Sequence, residues 1–278
     1  MRPFVCAGAL VLVLVVLAGV RPHAQWVAVK VPNTPRTADG KPNLKARAPR
    51  LPNGRIDFSG VWYPDVARTD PSVSTIGQTL GEDPVMRLTT ADGTPYPLLP
   101  DVESVVNERR RRNDIGPTAK CLPHSVISGL LVPSPFKIVH APGVTLVLFE
   151  EMMHFQQVFT DGRTFPAEFE PSWLGSSIGR WEGDELVIDT RGFNELGSLG
   201  TGGQLKTSET LHTIERFRRP DFGSLELRVT YDDPKTFSRV WTTKPAWFKL
   251  LPDTDFIENM CDNERDLEKI RAANPEAR

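Results

Sequence analysis

Between Phe136 and Asn259, apolar β-forming residues recur in short runs that alternate with polar ones, and turn residues separate the runs. Successive side chains of a strand point to opposite faces, so this period-two pattern is the signature of half-buried strands. It predicts strands over Phe136–Ala141, Val144–Glu150, His154–Thr160, Ile178–Trp181, Leu186–Thr190, Glu209–Arg219, Leu225–Tyr231, Thr236–Thr243, Ala246–Leu250 and Phe256–Asn259. Pro142-Gly143, Asp161-Gly162, Phe222-Gly223 and Asp233-Pro234 supply turns, and Glu182-Gly183-Asp184 supplies a tight hairpin. No helix-length periodic segment interrupts the series, which predicts an antiparallel meander closing into a β-barrel, with a two-sheet sandwich as the alternative.

The chain before Phe136 reads differently. Residues 26–55 are rich in proline and basic side chains with almost no apolar periodicity, which predicts an arm that wraps the domain or stays mobile. Phe58–Trp62 reads as a short strand. Asp101 is placed to cap a helix running through Arg112, with Val102, Val105 and Val106 on one face. Asp262 begins a short polar helix ending near Ala273. The division expected is a signal segment at 1–24, an extended segment at 25–57 and one β-rich domain with short peripheral helices at 58–278.

The N-terminus has Arg2, an apolar run from Phe4 to Val20, and then Pro22-His23-Ala24-Gln25, the layout of a secretory signal cleaved after Ala24. Cleavage removes Arg2 and Arg21, lowering 33 basic side chains to 31 against 35 acidic ones, a formal charge of −4. That balance argues against nucleic acid or an anionic membrane surface as partner, and Arg109–Arg112 reads as the solvated end of its helix. The remaining cysteines, Cys121 and Cys261, are expected to form a disulfide in an oxidising compartment, since neither has a metal-ligand neighbour at a usual spacing. Closing so long a loop would contribute about 4 to 5 kcal/mol by the chain-entropy model.

Nothing in the chain reads as a nucleotide loop, a catalytic triad or a metal site, so no metal and no cofactor is expected. Strand alternation places Leu211, Thr213, Glu215 and Phe217 inward, and puts Arg239 between Phe237 and Trp241 on a second inward face. An inward Glu215 and an inward Arg239 are expected to pair, as a barrel-closing ion pair or as a general acid/base beside a cationic anchor. Glu150, Glu151 and His154 meet at a strand connection, either as an acid/base cluster or as a solvated hairpin end. His140 reads as a core or rim histidine and His212 as outward-facing. Ser125 follows His124 but lacks the glycine of a nucleophile elbow. The shift from apolar alternation to polar, glycine-bounded residues predicts Asp189, Thr190 and Asn194 at a cleft rim.

Cys121-Leu122-Pro123, Pro135-Phe136-Lys137-Ile138-Val139, Phe159-Thr160-Asp161-Gly162-Arg163, the run Gly179 to Asn194, Glu215-Arg216-Phe217-Arg218-Arg219 and Leu251-Pro252-Asp253, in that order, resemble a large family of uncharacterised secreted bacterial proteins. The resemblance covers about Phe58 to Glu264 and implies export and cysteine pairing without implying a mechanism. Members of that family often carry a histidine where Thr207 precedes Ser208-Glu209. Gly60-Val61-Trp62 and Gly179-Arg180-Trp181 also look like the Gly-x-Trp openings of lipocalin-like barrels. By that analogy the chain is expected to be a periplasmic or secreted barrel that binds a small organic molecule. Trp62, Trp173, Trp181 and Trp241 are the candidate wall residues, and Arg163, Asp189, Asn194, Glu215 and Arg239 the candidate polar contacts. A metal-independent lyase, isomerase or hydrolase using Glu215 or Asp189 as base, and a structural module of the cell envelope, are the alternatives.

Overall fold

The computed structural model describes residues 29–69, 79–80, 83–84, 89–114, 116–168, 170–199, 203–257, 259 and 272. The strands are β1 (Gly60–Pro64), β2 (Thr79–Leu80), β3 (Asp83–Pro84), β4 (Phe136–Ala141), β5 (Val144–Phe149), β6 (His154–Phe159), β7 (Ser176–Glu182), β8 (Glu185–Arg191), β9 (Ser198–Leu199), β10 (Leu205–Lys206), β11 (His212–Asp221), β12 (Ser224–Asp232), β13 (Trp241–Thr242) and β14 (Ala246–Leu250). The α-helices among the described residues are α1 (Val66–Thr69), α2 (Pro100–Arg111) and α3 (Val126–Leu131).

Nine of these strands close into a barrel in the order β1-β4-β5-β6-β7-β8-β11-β12-β14, with β14 returning to β1 and β13 added beside β12. Strands follow each other around the ring in chain order, as a meander requires. An odd ring cannot alternate direction throughout, and the one parallel step falls between β6 and β7. A parallel pair needs a crossover of a dozen or more residues, and residues 160–175 provide it. The other neighbours are antiparallel, several joined by the short turns expected: Gly143 (φ +74) between β4 and β5, and Gly183 (φ +62) between β7 and β8.

Alternation along β11 buries Thr213, Glu215, Phe217 and Arg219, while the intervening side chains are more exposed. Leu225, Leu227, Val229 and Tyr231 of β12, Phe136 and Ile138 of β4, Val147 and Phe149 of β5, and Ala246 and Phe248 of β14 complete much of the interior. One end of the barrel is sealed by Arg219, whose guanidinium lies 4.8 Å from the Trp62 ring centre and donates from Nη1 to the carbonyls of Asp57 (2.7 Å) and Ser59 (3.1 Å) and from Nη2 to that of Phe222 (2.5 Å). Trp62 Nε1 in turn donates to the Phe58 carbonyl at 3.0 Å, and Phe58 stacks on Trp181. The opposite end is covered by α3, all six residues of which are buried. Gly129 permits the close approach: a Cβ there would lie 3.1 Å from the Phe149 ring.

Several sequence expectations are corrected. Thr236–Thr243 is not a continuous strand: Thr236 and Phe237 donate their backbone N–H groups to the Asp233 carbonyl in a turn, leaving Trp241–Thr242 extended as β13. Strand β11 begins at His212 instead of Glu209, because Ser208 and Thr210 turn to donate hydroxyl hydrogen bonds to the Asp233 carboxylate, both at 2.8 Å. Within the described part of Phe256–Asn259 no named strand forms. Leu99, not Asp101, is the N-cap of α2, with Pro100 at the first helical position. Helix α3 was not anticipated; a helix buried on every side carries no amphipathic period. Residues 29–57 wrap the barrel through Arg36–Asp253 (2.6 Å), Arg50–Asp184 (2.9 Å) and Lys45–Asp221 (3.1 Å). The expected signal segment, Cys261 and, apart from Ala272, the helix from Asp262 to Ala273 lie outside the described residues.

Candidate functional site

Glu215 sits in the middle of the barrel interior at 0 % exposure. Its Oε1 accepts from the hydroxyls of Thr213 (2.9 Å) and Thr190 (3.1 Å), and its Oε2 faces Gln156 Nε2 at 3.4 Å. Gln156 Nε2 also donates to Ser177 Oγ at 3.0 Å, and Ser177 Oγ lies 3.0 Å from Thr190 Oγ1. Strands β6, β7, β8 and β11 thus each send a polar side chain to one buried centre. No cation pairs with Glu215 among the described residues. Burial raises its carboxyl to about 7, against the hydrogen bonds from Thr213, Gln156 and Thr190, which favour the charged form. The amide oxygen of Gln156 has no hydrogen-bond partner among the described residues.

From this centre the polar side chains continue toward α3. His154 shares the inner face of β6 with Gln156, stacks on Phe149 at 4.6 Å between ring centres, and makes no hydrogen bond of ordinary geometry from either ring nitrogen among the described residues. Burial lowers it to about 4, although the Glu151 carboxylate and a polar contact with the Glu151 backbone favour its protonation. His124 is 2 % exposed; its Nδ1 has no hydrogen-bond partner among the described residues, and its Nε2 stands at ion-pair distance, 3.5 Å, from Glu151 Oε2. The turn that presents Glu151 and His154 holds Met152 (φ +60) and Met153 (φ +47) in left-handed backbone, a conformation non-glycine residues adopt at a cost. On the far side, Trp241 stacks on Tyr231 at 4.6 Å and its Nε1 is buried without a hydrogen-bond partner among the described residues. Buried polar atoms are nearly always satisfied; among the described residues Arg219 Nε at the sealed end and Asp233 Oδ2 also lack a hydrogen-bond partner, and most of the remaining such atoms belong to His124, Glu151, His154 and Gln156.

Of the residues singled out in the sequence, Glu215 and Trp241 belong to this region. Trp62 and Trp181 lie at the sealed end, and Trp173 is half-buried in the crossover after β6. Arg239 does not meet Glu215. It lies at the surface and bonds Asp92 Oδ2 at 3.1 Å, because the turn after Asp233 breaks the alternation that would have aimed it inward. Asp189 points outward from β8 and pairs with His212 (3.0 Å) and Arg191 (3.1 Å); burial pushes its carboxyl up, and those hydrogen bonds outweigh burial and hold it below the ordinary value. Thr190, one residue on, faces the interior. Asn194 accepts the backbone N–H groups of Leu196 and Gly197, which is turn chemistry and not a cleft rim. Arg163 is exposed against Asp161 at 2.6 Å. Both nitrogens of His140 are engaged, by the Phe58 N–H and by Thr145 Oγ1, as a rim histidine requires.

Glu150 is buried and accepts the Ile257 N–H, so it anchors the C-terminal segment instead of standing solvated. Ser125 donates to the Ser198 carbonyl at 2.7 Å and is no nucleophile beside His124. Gln156, Ser177 and His124 are the site residues that sequence reasoning missed. Alternation along His154–Thr160 carries the signal for Gln156, since it shares a face with Val158. Among the described residues, no group of three His, Cys, Asp or Glu side chains is arranged to hold a metal ion. A separate cleft of about 450 Å³ opens outside the barrel, between residues 31–34, the outer face of β1 and β4, and residues 250–255; its Lys137 and Asp255 bond each other at 2.8 Å. In comparisons with known proteins, no family model, no curated protein and no solved structure matches the chain.

Proposed function

We propose that this is a periplasmic or secreted barrel that binds a small organic molecule at the α3 end of its interior. The observation that carries the reading is the run of buried polar atoms that have no hydrogen-bond partner among the described residues, from Gln156 Oε1 through the His154 ring to His124 Nδ1, beside a carboxyl that no described cation pairs with. Each such group left alone costs about 1 to 3 kcal/mol, so a molecule supplying the missing donors and acceptors would be bound tightly for its size. Such a ligand carries hydrogen-bonding groups at one end, for Gln156 and the histidines, and an apolar body for Phe149, Tyr231 and Trp241. Residues 1–24 support export, and no described helix is long and apolar enough to cross a membrane.

The enzyme reading keeps one specific support. A carboxyl at about 7 is matched to proton transfer at neutral pH, which makes Glu215, and not the outward, ion-paired Asp189, the candidate acid/base. Native mass spectrometry of the protein purified from its own compartment tests the binding proposal. A retained small molecule that is lost in Gln156→Leu supports it. A bare protein that no member of a small-organic library stabilises against heat overturns it.

A further inference from the structure

Helix α2 ends in four consecutive arginines, and the structure separates them. Arg110 bonds Asn107 at 3.3 Å, Arg111 bonds Glu108 at 2.5 Å and Arg112 pairs with Asp114 at 3.2 Å, all on the exposed side. Arg109 instead turns toward the segment before β10, where its Nη1 donates to the Gln204 carbonyl at 2.9 Å, and no carboxylate pairs with it among the described residues. Beside it Lys206 of β10 is half-buried and has no hydrogen-bond or ion-pair partner among the described residues. Burial and the neighbouring charges of Arg109 and Lys120 lower its ammonium below the ordinary lysine value, with Asp114 opposing. Neighbouring cations that no carboxylate pairs with directly repel one another; an anion placed between them relieves that repulsion.

The two cations line one end of a pocket of about 280 Å³ between α2, Glu195 and residues 205–208. Its middle is aliphatic, made by Val102, Val105 and Val106 along one face of α2 and by Leu205 opposite. Val105 is 47 % exposed, an apolar side chain left uncovered over the opening. Asp101 lies eight residues before Arg109, about 12 Å along the helix at 1.5 Å per residue. Asp101, Glu195 and Lys235 line the pocket with them; Lys235 is already bonded to Glu209. The chemistry therefore runs from cationic through aliphatic to a mixed end with two carboxylates, which disfavour a second negative charge on a ligand.

From this arrangement we infer that the pocket between α2 and β10 is a second binding site, for a small monocarboxylic acid with a branched aliphatic body, its carboxylate between Arg109 and Lys206. The size suits a small ligand, being just under the range usual for drug-like pockets. The site lies outside the barrel and stands independently of the ligand proposed for the interior. Inorganic phosphate offers charge but no apolar body, and a neutral amide offers the body without the charge.

Titration of the full-length protein with 4-methylpentanoate, followed by chemical-shift changes or calorimetry at low salt, tests the site. Expected are saturable binding, at least tenfold weaker binding to Lys206→Met, unaltered binding to Arg110→Met, and no comparable binding of 4-methylpentanamide or phosphate. Equal affinity for the acid and its amide, or unchanged affinity in a folded Lys206→Met, overturns the inference, as does equal binding of phosphate. Acetylation of Lys206 by a limiting acylating reagent gives a second reading. 4-Methylpentanoate should slow modification at Lys206 at least threefold and leave exposed Lys41 unaffected; equal rates with and without the acid also overturn it.

Discussion

Replacing Glu215 by glutamine removes one proton-binding site from the barrel centre while keeping shape and most hydrogen bonds. The folded carboxyl lies near 7 and its ordinary value is 4.5, so between those values the native state holds a proton that the unfolded chain releases. Stability from this group is therefore fully present below about pH 4.5 and is lost as pH rises through 7. Two and a half units at about 1.4 kcal/mol each give about 3 kcal/mol, set by a site from which water is excluded. Urea unfolding at pH 4.5 and pH 8 measures it. The natural protein should lose about 3 kcal/mol more than Glu215→Gln over that interval, a difference of about 1 M in midpoint for an m-value of 2 to 3 kcal/mol/M. Other titrating groups are common to both proteins and cancel in the comparison. Parallel pH profiles would refute the argument, and a natural protein that gains stability relative to the variant with rising pH would show that Glu215 is ionised beside a cation.

His154 has the opposite sign: lowered to about 4 from 6.5, it contributes stability above pH 6.5 that is lost as pH falls through 4, so His154→Phe should flatten acid unfolding by up to about 3 kcal/mol in thermal or urea melts. Arg219→Lys, unable to reach the carbonyls of Asp57, Ser59 and Phe222 together, should cost at least about 2 kcal/mol of unfolding free energy; a loss under 0.5 would deny that it seals the barrel. Arg239→Met should change stability by less than about 1 kcal/mol, as for an exposed pair, and show no coupling to Glu215→Gln in a double-mutant cycle. Non-reducing peptide mapping of exported protein should find a chain starting near Gln25 with Cys121 joined to Cys261; two alkylatable thiols would contradict it.

The barrel was legible because its strands are short, half-buried and joined by residues with few backbone choices. Phe136–Ala141, Ala246–Leu250 and the hairpin through Gly183 follow from alternation and turn chemistry alone. The same rule put Glu215 inward correctly, since β11 is regular from His212 to Arg218. It failed for Arg239 because alternation holds only while the chain stays extended, and the Asp233 carbonyl draws two backbone N–H groups into a turn just after β12. The polar, glycine-bounded run after β8 does not form a rim either: Asp189 pairs outward with His212 and Arg191, and of Asp189, Thr190 and Asn194 only Thr190 meets the interior.

What the amino-acid sequence determined by itself is local: which segments are strands, where the chain turns, and that one carboxyl faces a closed interior. Each depends on neighbours within a few residues, through side-chain alternation and backbone preference. Which groups meet across the barrel was decided by the tertiary structure. Gln156, Ser177, Thr190, Thr213 and Glu215 come from four strands, and their convergence depends on register and ring closure. The burial of α3, of His124 and of the His154 ring nitrogens is likewise a product of packing, because desolvation is a property of everything around a group and is written nowhere in its own segment.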